Sequence, residues 1–318
     1  MDNNNCLAGI SLAAGFDLLH FFSHRSTRRR TVNIKWRAKF VSILLFAICL
    51  SNYSHANDVQ SAPRAASQKP QLSQLVIVMD DLGNHLERGR RAIELPGAIT
   101  YAILPHTPAA KKLAWYATRY DQRKEVIIHM PMQTRSGKRL GPGALRDQFD
   151  KDTFQQVLQR AVDAVPFARG LNNHMGSALT SMPDRMQWLM AALDKLDFYF
   201  IDSRTTHHST AASKAVERQL PNLSRDVFLD NSLDESALDH AFEKALRIAR
   251  QRGLAVLLAH PHDASLSYLE RRLPTLAEEG IELVAASEAI ERRKIFAIDA
   301  PTTQDNIALT PPPHHHQH

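Results

Sequence analysis

Cysteine is almost missing from this chain: of 318 residues only Cys6 and Cys49 carry a thiol, and both precede residue 57. The remainder has no disulfide and no thiolate ligand, so any metal there must be held by His, Asp and Glu. No G-x-S-x-G elbow follows an apolar run, which argues against a Ser/His/Asp hydrolase of that type. Long hydrophobic runs are also absent. The longest apolar segment, Phe40 to Leu50, covers eleven residues, where a membrane-spanning helix needs about 20. An excess of charge is lacking once the ends are set aside. The chain carries +6, but seven of its 39 Lys and Arg and two of its 33 Asp and Glu lie in residues 1–56, which leaves 32 against 31 and a net charge of +1. The sequence pI of about 9.4 is therefore no reason to expect a nucleic-acid partner.

Residues 1–56 read as a leader. Arg28, Arg29, Arg30, Lys35, Arg37 and Lys39 precede the apolar segment, and Ser54-His55-Ala56 supplies small residues at a cleavage position. The expectation is export to the periplasm or beyond, with cleavage near Ala56, no stable membrane span, and a translation start possible near Val32. Residues 57–72 have a linker composition rich in Ser, Ala, Gln and Pro, and 297–318 form a Pro-rich tail ending in histidines. Both are expected to be disordered, leaving 73–296 as one catalytic domain without internal repeats.

Within that domain, Val76-Ile77-Val78-Met79 ends abruptly in Asp80-Asp81-Leu82-Gly83. The run shows no alternation, so it reads as a strand covered on both faces, as in parallel sheets. Two adjacent carboxylates at its end make either a helix cap or a place to hold a cation or proton. The layout recurs. His106 follows Ile99 to Leu104, and His129 follows Val126 to Ile128. Asn172-Asn173-His174 follows Ala168 to Leu171, and Asp202-Ser203-Arg204 follows Phe198 to Ile201. Asp230-Asn231 follows Val227 to Leu229, and His260-Pro261-His262 follows Leu254 to Ala259. Segments of helical period lie between: Lys111 to Tyr120 after Thr107 as cap and Pro108, Phe154 to Val165, Arg185 to Leu196, Ala211 to Leu220, Glu235 to Arg252 before Gly253, and Tyr268 to Glu279 before Gly280. With a last strand at Glu282 to Ala285, the alternation predicts an α/β fold of eight parallel strands, the number of a barrel whose site sits at the C-terminal face.

The ordered blocks VIVMDDLG, IIHMPM, GLNNHMGS, FIDSRTT and LLAHPH resemble the divergent polysaccharide deacetylases, the envelope branch related to NodB-type carbohydrate esterases. The resemblance covers about residues 73–293. It implies a distorted seven- or eight-stranded (β/α) barrel that uses a divalent metal, zinc first among candidates, to remove acetyl groups from an N-acetylated glycan. Its partners would be that glycan and an envelope protein. On this likeness Asp80 is the base and Asp81 a metal ligand, and His174 matches the first histidine of the H-x-x-x-H motif. Ala178 stands where the second would be, and His129 is the replacement ligand. His260 matches the late-strand histidine that protonates the leaving amine, and His262 either reaches the same cleft or caps the next helix. Asp202 and Arg204 form either a salt bridge at the mouth or a support for the site, Asp202 accepting from a histidine and Arg204 orienting a carboxylate. Asn173, with Asn172, would orient a ring or a substrate amide. The missing motif histidine leaves a second expectation open, an inactive glycan-binding or structural envelope protein on the same barrel.

Overall fold

The computed structural model describes residues 72–299. The leader, nearly all of the linker and residues 300–318 of the histidine-rich tail lie outside the described residues, while residues 297–299, expected in that tail, belong to the last helix. The first strand, β1 (Ser73–Leu82), is followed by α1 (Leu86–Ile93), β2 (Thr100–Ile103), α2 (Ala110–Tyr120), β3 (Glu125–Met132), α3 (Lys151–Ala164), β4 (Gly170–Met175) and α4 (Pro183–Lys195). Then come β5 (Tyr199–Asp202), α5 (Ala211–Glu217), β6 (Asn222–Ser224), β7 (Val227–Phe228), α6 (Glu235–Arg252), β8 (Leu254–Ala259), α7 (Asp263–Arg272), β9 (Ile281–Leu283) and α8 (Ala286–Asp299). All strand pairs are parallel, in the order β6-β5-β4-β3-β2-β1-β8-β7, with β9 branching onto the start of β1. The two ends of this path are consecutive in the chain. Arg225 N–H bonds the carbonyl of Asp202 on β5, and Asp226 N–H bonds that of Val256 on β8, both at 2.9 Å. Two neighbouring peptides thus draw the sheet edges together, and the result is the expected distorted barrel.

Unbroken apolar strands fit because both faces are covered. Val76 and Val78 point inward with Ile127, Ile201, Leu223 and Leu258, while Leu75, Ile77 and Met79 point out under the helices. Val284, Ala286, Ala289 and Ile290 close the inner core at the N-terminal end of the barrel. The mouth is therefore left to the polar residues that follow the apolar ones on each strand. Within β3, Pro131 lies beyond the last pairing of β2, so its missing N–H interrupts no ladder on that side; instead its carbonyl accepts from Leu145 N–H at 2.8 Å.

Three expectations need correction. A strand was missed: β6, three residues long, follows α5 with Pro221 just before it and is too brief to show a period. Thr107 does not cap α2, which begins at Ala110 behind Ala109; its hydroxyl donates to Leu104 O at 2.7 Å. The helix expected over Tyr268 to Glu279 starts earlier, at Asp263, and ends at Arg272, where Pro274 cannot supply an intrahelical N–H and the chain tightens into a short 3-10 turn, Leu273–Thr275.

Candidate metal centre

Side chains of adjacent strand residues normally point to opposite faces, so Asp80 and Asp81 should part company. They do not, because the pairing of β1 with β2 shifts register between Met79 and Leu82, and Asp81 takes a left-handed conformation at φ 59°. Aspartate tolerates that region better than most residues, at a cost of order 1–3 kcal/mol held by the surroundings. Gly83 follows at φ 128°, where a Cβ would stand 2.0 Å from Thr107 Oγ1, so only glycine lets the loops after β1 and β2 meet. His85, not either aspartate, occupies the N-cap of α1, which removes the helix-cap reading.

On the neighbouring strands, alternation does the aiming. His129 of β3 pairs in register with Asn172 of β4, and Pro131 with His174, so His129, Asn172 and His174 share the inner face. Asp81 Oδ1 lies 3.1 Å from His129 Nε2 and 2.9 Å from His174 Nδ1, and those two nitrogens are 3.1 Å apart. Asp81 Oδ1 is buried and makes no hydrogen bond despite these neighbours. An orphaned carboxylate oxygen in such a place needs a reason. Three lone-pair atoms converging on one point supply it: ligands at about 2.0–2.2 Å from a tetrahedral cation stand roughly 3.3 Å apart, close to the spacings here. The donor set, one carboxylate and two imidazoles, fits a divalent ion such as zinc and leaves a fourth position open.

Asn172 holds the centre together. Its Oδ1 accepts from His129 Nδ1 at 2.7 Å, which turns the Nε2 lone pair toward Asp81, and its Nδ2 donates to Asp80 Oδ1 at 2.8 Å. Asp80 is 2 % exposed, and burial raises its pKa despite the opposing charges of His129 and His260. Asp81 is held far below the usual carboxylate range: burial pushes it up, but His129 and His174 outweigh that. Burial also opposes the charged form of His129, and Asp80 with Asp81 overcomes it, raising that imidazole.

His260 stands one step past the last β1–β8 pair, Met79 with Ala259, and so beside Asp80. Its Nδ1 donates to Asp230 Oδ1 at 2.9 Å, while Asp230 Oδ2 receives the His260 backbone N–H at 2.7 Å and the Ser265 hydroxyl at 2.8 Å. Nε2 faces the centre, 4.0 Å from Asp81 Oδ2. Burial alone would lower this imidazole; the Asp230 hydrogen bond and the charges of Asp80, Asp230 and Asp81 lift it to about 9. It therefore carries a donatable proton at neutral pH.

The other candidates take different parts, and His262 alone keeps its expected place in the cleft beside His260. Asp202 accepts from Arg204 N–H at 2.8 Å and Ser209 Oγ at 2.8 Å, and supports no histidine; it shapes the loop after β5. Arg204 meets it through its backbone, without a salt bridge, and its carbonyl accepts from Arg225. Asn173 faces away from the centre, bonding Met175 O and Ser203 N–H, so the orienting amide is Asn172. His262 precedes α7 at its N-cap position, makes no side-chain cap bond, and is exposed with its ring 6.0 Å from that of His260. Ala178 leads into a 3-10 turn, its N–H on Gln133 O, and the third atom of the candidate cluster belongs to His129 on β3. Asp230 is a further residue of the site; its signal is an acid two residues past β7, which pairs with the strand that leads into His260.

The model of the divergent polysaccharide deacetylases matches residues 77–290, the greater part of the chain. The chain belongs to that family. It is 34% identical over 221 residues to the uncharacterized protein YibQ of Escherichia coli K12, covering 70% of this chain and 68% of that one. An uncharacterized protein of Haemophilus influenzae is also 34% identical, over 224 residues, 70% of this chain and 79% of that one. Among solved structures, an uncharacterized protein of Agrobacterium tumefaciens C58 shares the fold, with a TM-score of 0.66 at 21% identity, across 70% of this chain and 91% of that one.

Proposed function

We propose that this deacetylase-family protein is an active, metal-dependent hydrolase that removes N-acetyl groups from an envelope glycan. One observation carries the reading: Asp81, His129 and His174 converge beside a buried carboxylate, Asp80, and the imidazole of His260, held on Asp230. A divalent ion held by the three, zinc by preference, would supply Lewis acidity toward a water and the acetamide carbonyl. Asp80, raised by burial and steadied by Asn172, takes the proton of the attacking water. His260, held by Asp230 so that Nε2 faces the centre, gives its proton to the departing amine. Collapse then yields a free amino sugar and acetate. No helix among the described residues is long and apolar enough to cross a membrane. Export by the leader to the periplasm completes the proposal; a mature N-terminus near Asn57 in periplasmic extract is its check.

The decisive experiment measures metal content and acetate release on N-acetylated oligosaccharides with protein lacking the tail histidines. Bound metal with acetate release that Asp80→Asn abolishes is expected. Binding of glycan with no acetate released under any metal would instead establish the non-catalytic reading that Ala178 raised.

A further inference from the structure

Between the loop after β1 and the loop after β8, a cavity of about 180 Å³ opens directly beside Asp81 and His260. Its walls are mixed, with Leu82 and Pro261 as apolar lining beside a larger set of polar side chains. Asn84, His85, Arg88 and His262 line it; Asp81 is its one acid, and that carboxylate is turned to the metal-ligand cluster. Among the described residues, the side chains of Asn84, His85 and His262 make no hydrogen bond. Arg88 makes no contact with an acid closer than 4.0 Å, to Asp263, which Arg91 already holds at 3.3 Å. A guanidinium, two imidazoles and an amide are thus gathered with free donors a few ångströms from the reacting centre.

The same sign recurs across the mouth. The loop after β3, residues 133–150, carries Arg135, Lys138, Arg139 and Arg146 against Asp147 and Asp150, of which Asp150 caps α3, and Arg135 is braced by Ser181 Oγ at 3.1 Å. This stands against a folded region whose charges nearly cancel. Local concentration of one sign at a cleft is what attracts and orients a charged substrate.

We propose that the glycan is anionic: a carboxylate or phosphate close to the N-acetyl group is received by Arg88, His85 and His262, while the acetamide faces Asp81, His129 and His174. The inference rests on the hydrolase reading for the position of the acetamide, but its test does not depend on turnover. Arginine is the residue suited to such a group, since its planar fork can pair both oxygens.

The test is calorimetric binding to the metal-loaded mature protein of three N-acetylglucosamine oligomers of equal length: neutral, bearing O-linked carboxylates, and bearing phosphate. At least one anionic oligomer should bind about tenfold or more tightly than the neutral one, as expected for a charge-assisted contact. The preference should weaken with added salt, nearly vanish in Arg88→Ala and partly return in Arg88→Lys, with metal content intact in both. The stronger of the two anions identifies the group. Equal affinity for all three, or a preference that survives Arg88→Ala, would overturn the inference. Acetate release, followed in parallel, separates the two readings. Anion-selective binding without acetate sinks the hydrolase and leaves the pocket; acetate released from neutral glycan without selectivity does the reverse.

Discussion

Two carboxylates, one at each end of the barrel, carry a buried oxygen without a hydrogen bond: Asp81 Oδ1 at the mouth and Glu125 Oε2 at the base. Their surroundings differ. The other oxygen of Glu125 receives Thr100 Oγ1 at 3.1 Å, Tyr199 OH at 2.7 Å and Ser287 N–H at 3.2 Å, and Thr100 in turn receives Ala286 N–H. That carboxylate ties β2, β3 and β5 to the start of α8. Around Asp81 Oδ1 stand two imidazole nitrogens at 2.9–3.1 Å that form no hydrogen bond to it. A buried orphan oxygen alone is not a site. Convergence of further lone pairs on the same point makes it one, and donors around its partner oxygen make it a structural anchor.

The largest effect should come from breaking the convergence. His174→Ala or Asp81→Asn should empty the centre of metal, abolish the rise in melting temperature that added metal gives, and cut turnover about a thousandfold or more. Asp80→Asn should lose turnover to a similar extent yet keep the metal, because Asp80 bonds Asn172 and is not one of the three converging residues. Metal analysis of the three variants checks this; equal metal loss in Asp80→Asn would make the pair a single ligand unit.

Next in size is His260→Ala, which should lower turnover about 100-fold with metal retained. The loss should shrink on acetyl esters, whose leaving groups need less protonation than an amine. If this variant strips the metal, His260 is itself a ligand. The pH profile sharpens the point. A histidine lifted from 6.5 to about 9 keeps its proton through neutrality, so turnover should fall as pH rises through about 9. Its stabilising contribution has the same sign, full below 6.5 and lost as pH climbs through 9. Asp230→Asn removes the charge beside His260 and one of the two oxygens that hold it, and should move the alkaline limb downward, costing about tenfold at pH 8 and less at pH 6.

Much of the mouth was legible because strand, polar end and helix repeat along the chain, and parallel topology sends every strand end to one face. The identity of the helper residues was less so. Parity already favoured Asn172 over Asn173, since a residue two before His174 shares its face. The same rule misleads at Asp80 and Asp81, where a left-handed residue and a register shift override it, and neither is written in composition. Asp230 was hidden for another reason: β7 is two residues long, and only its pairing with β8 brings the acid to His260. Asp202 misled in the opposite direction, a strand-end acid spent on its own loop.

The smallest effect tests the base of the barrel. Tyr199 is buried and donates to Glu125, and Tyr199→Phe removes that donor without opening much volume. Thr100 and Ser287 N–H remain on the carboxylate, so the cost should be about 1.5–3 kcal/mol, the usual range for a hydrogen bond to a charged group. For a domain of this size that is a fall in melting temperature of roughly 2–4 °C per kcal/mol. Metal content and acetate release should stay at wild-type levels, because apolar layers through Ile127, Ile201 and Leu258 separate Glu125 from the mouth. A drop in metal affinity in Tyr199→Phe would show that the two carboxylates are linked through the strands they share, and that the base of the barrel sets the geometry of its mouth.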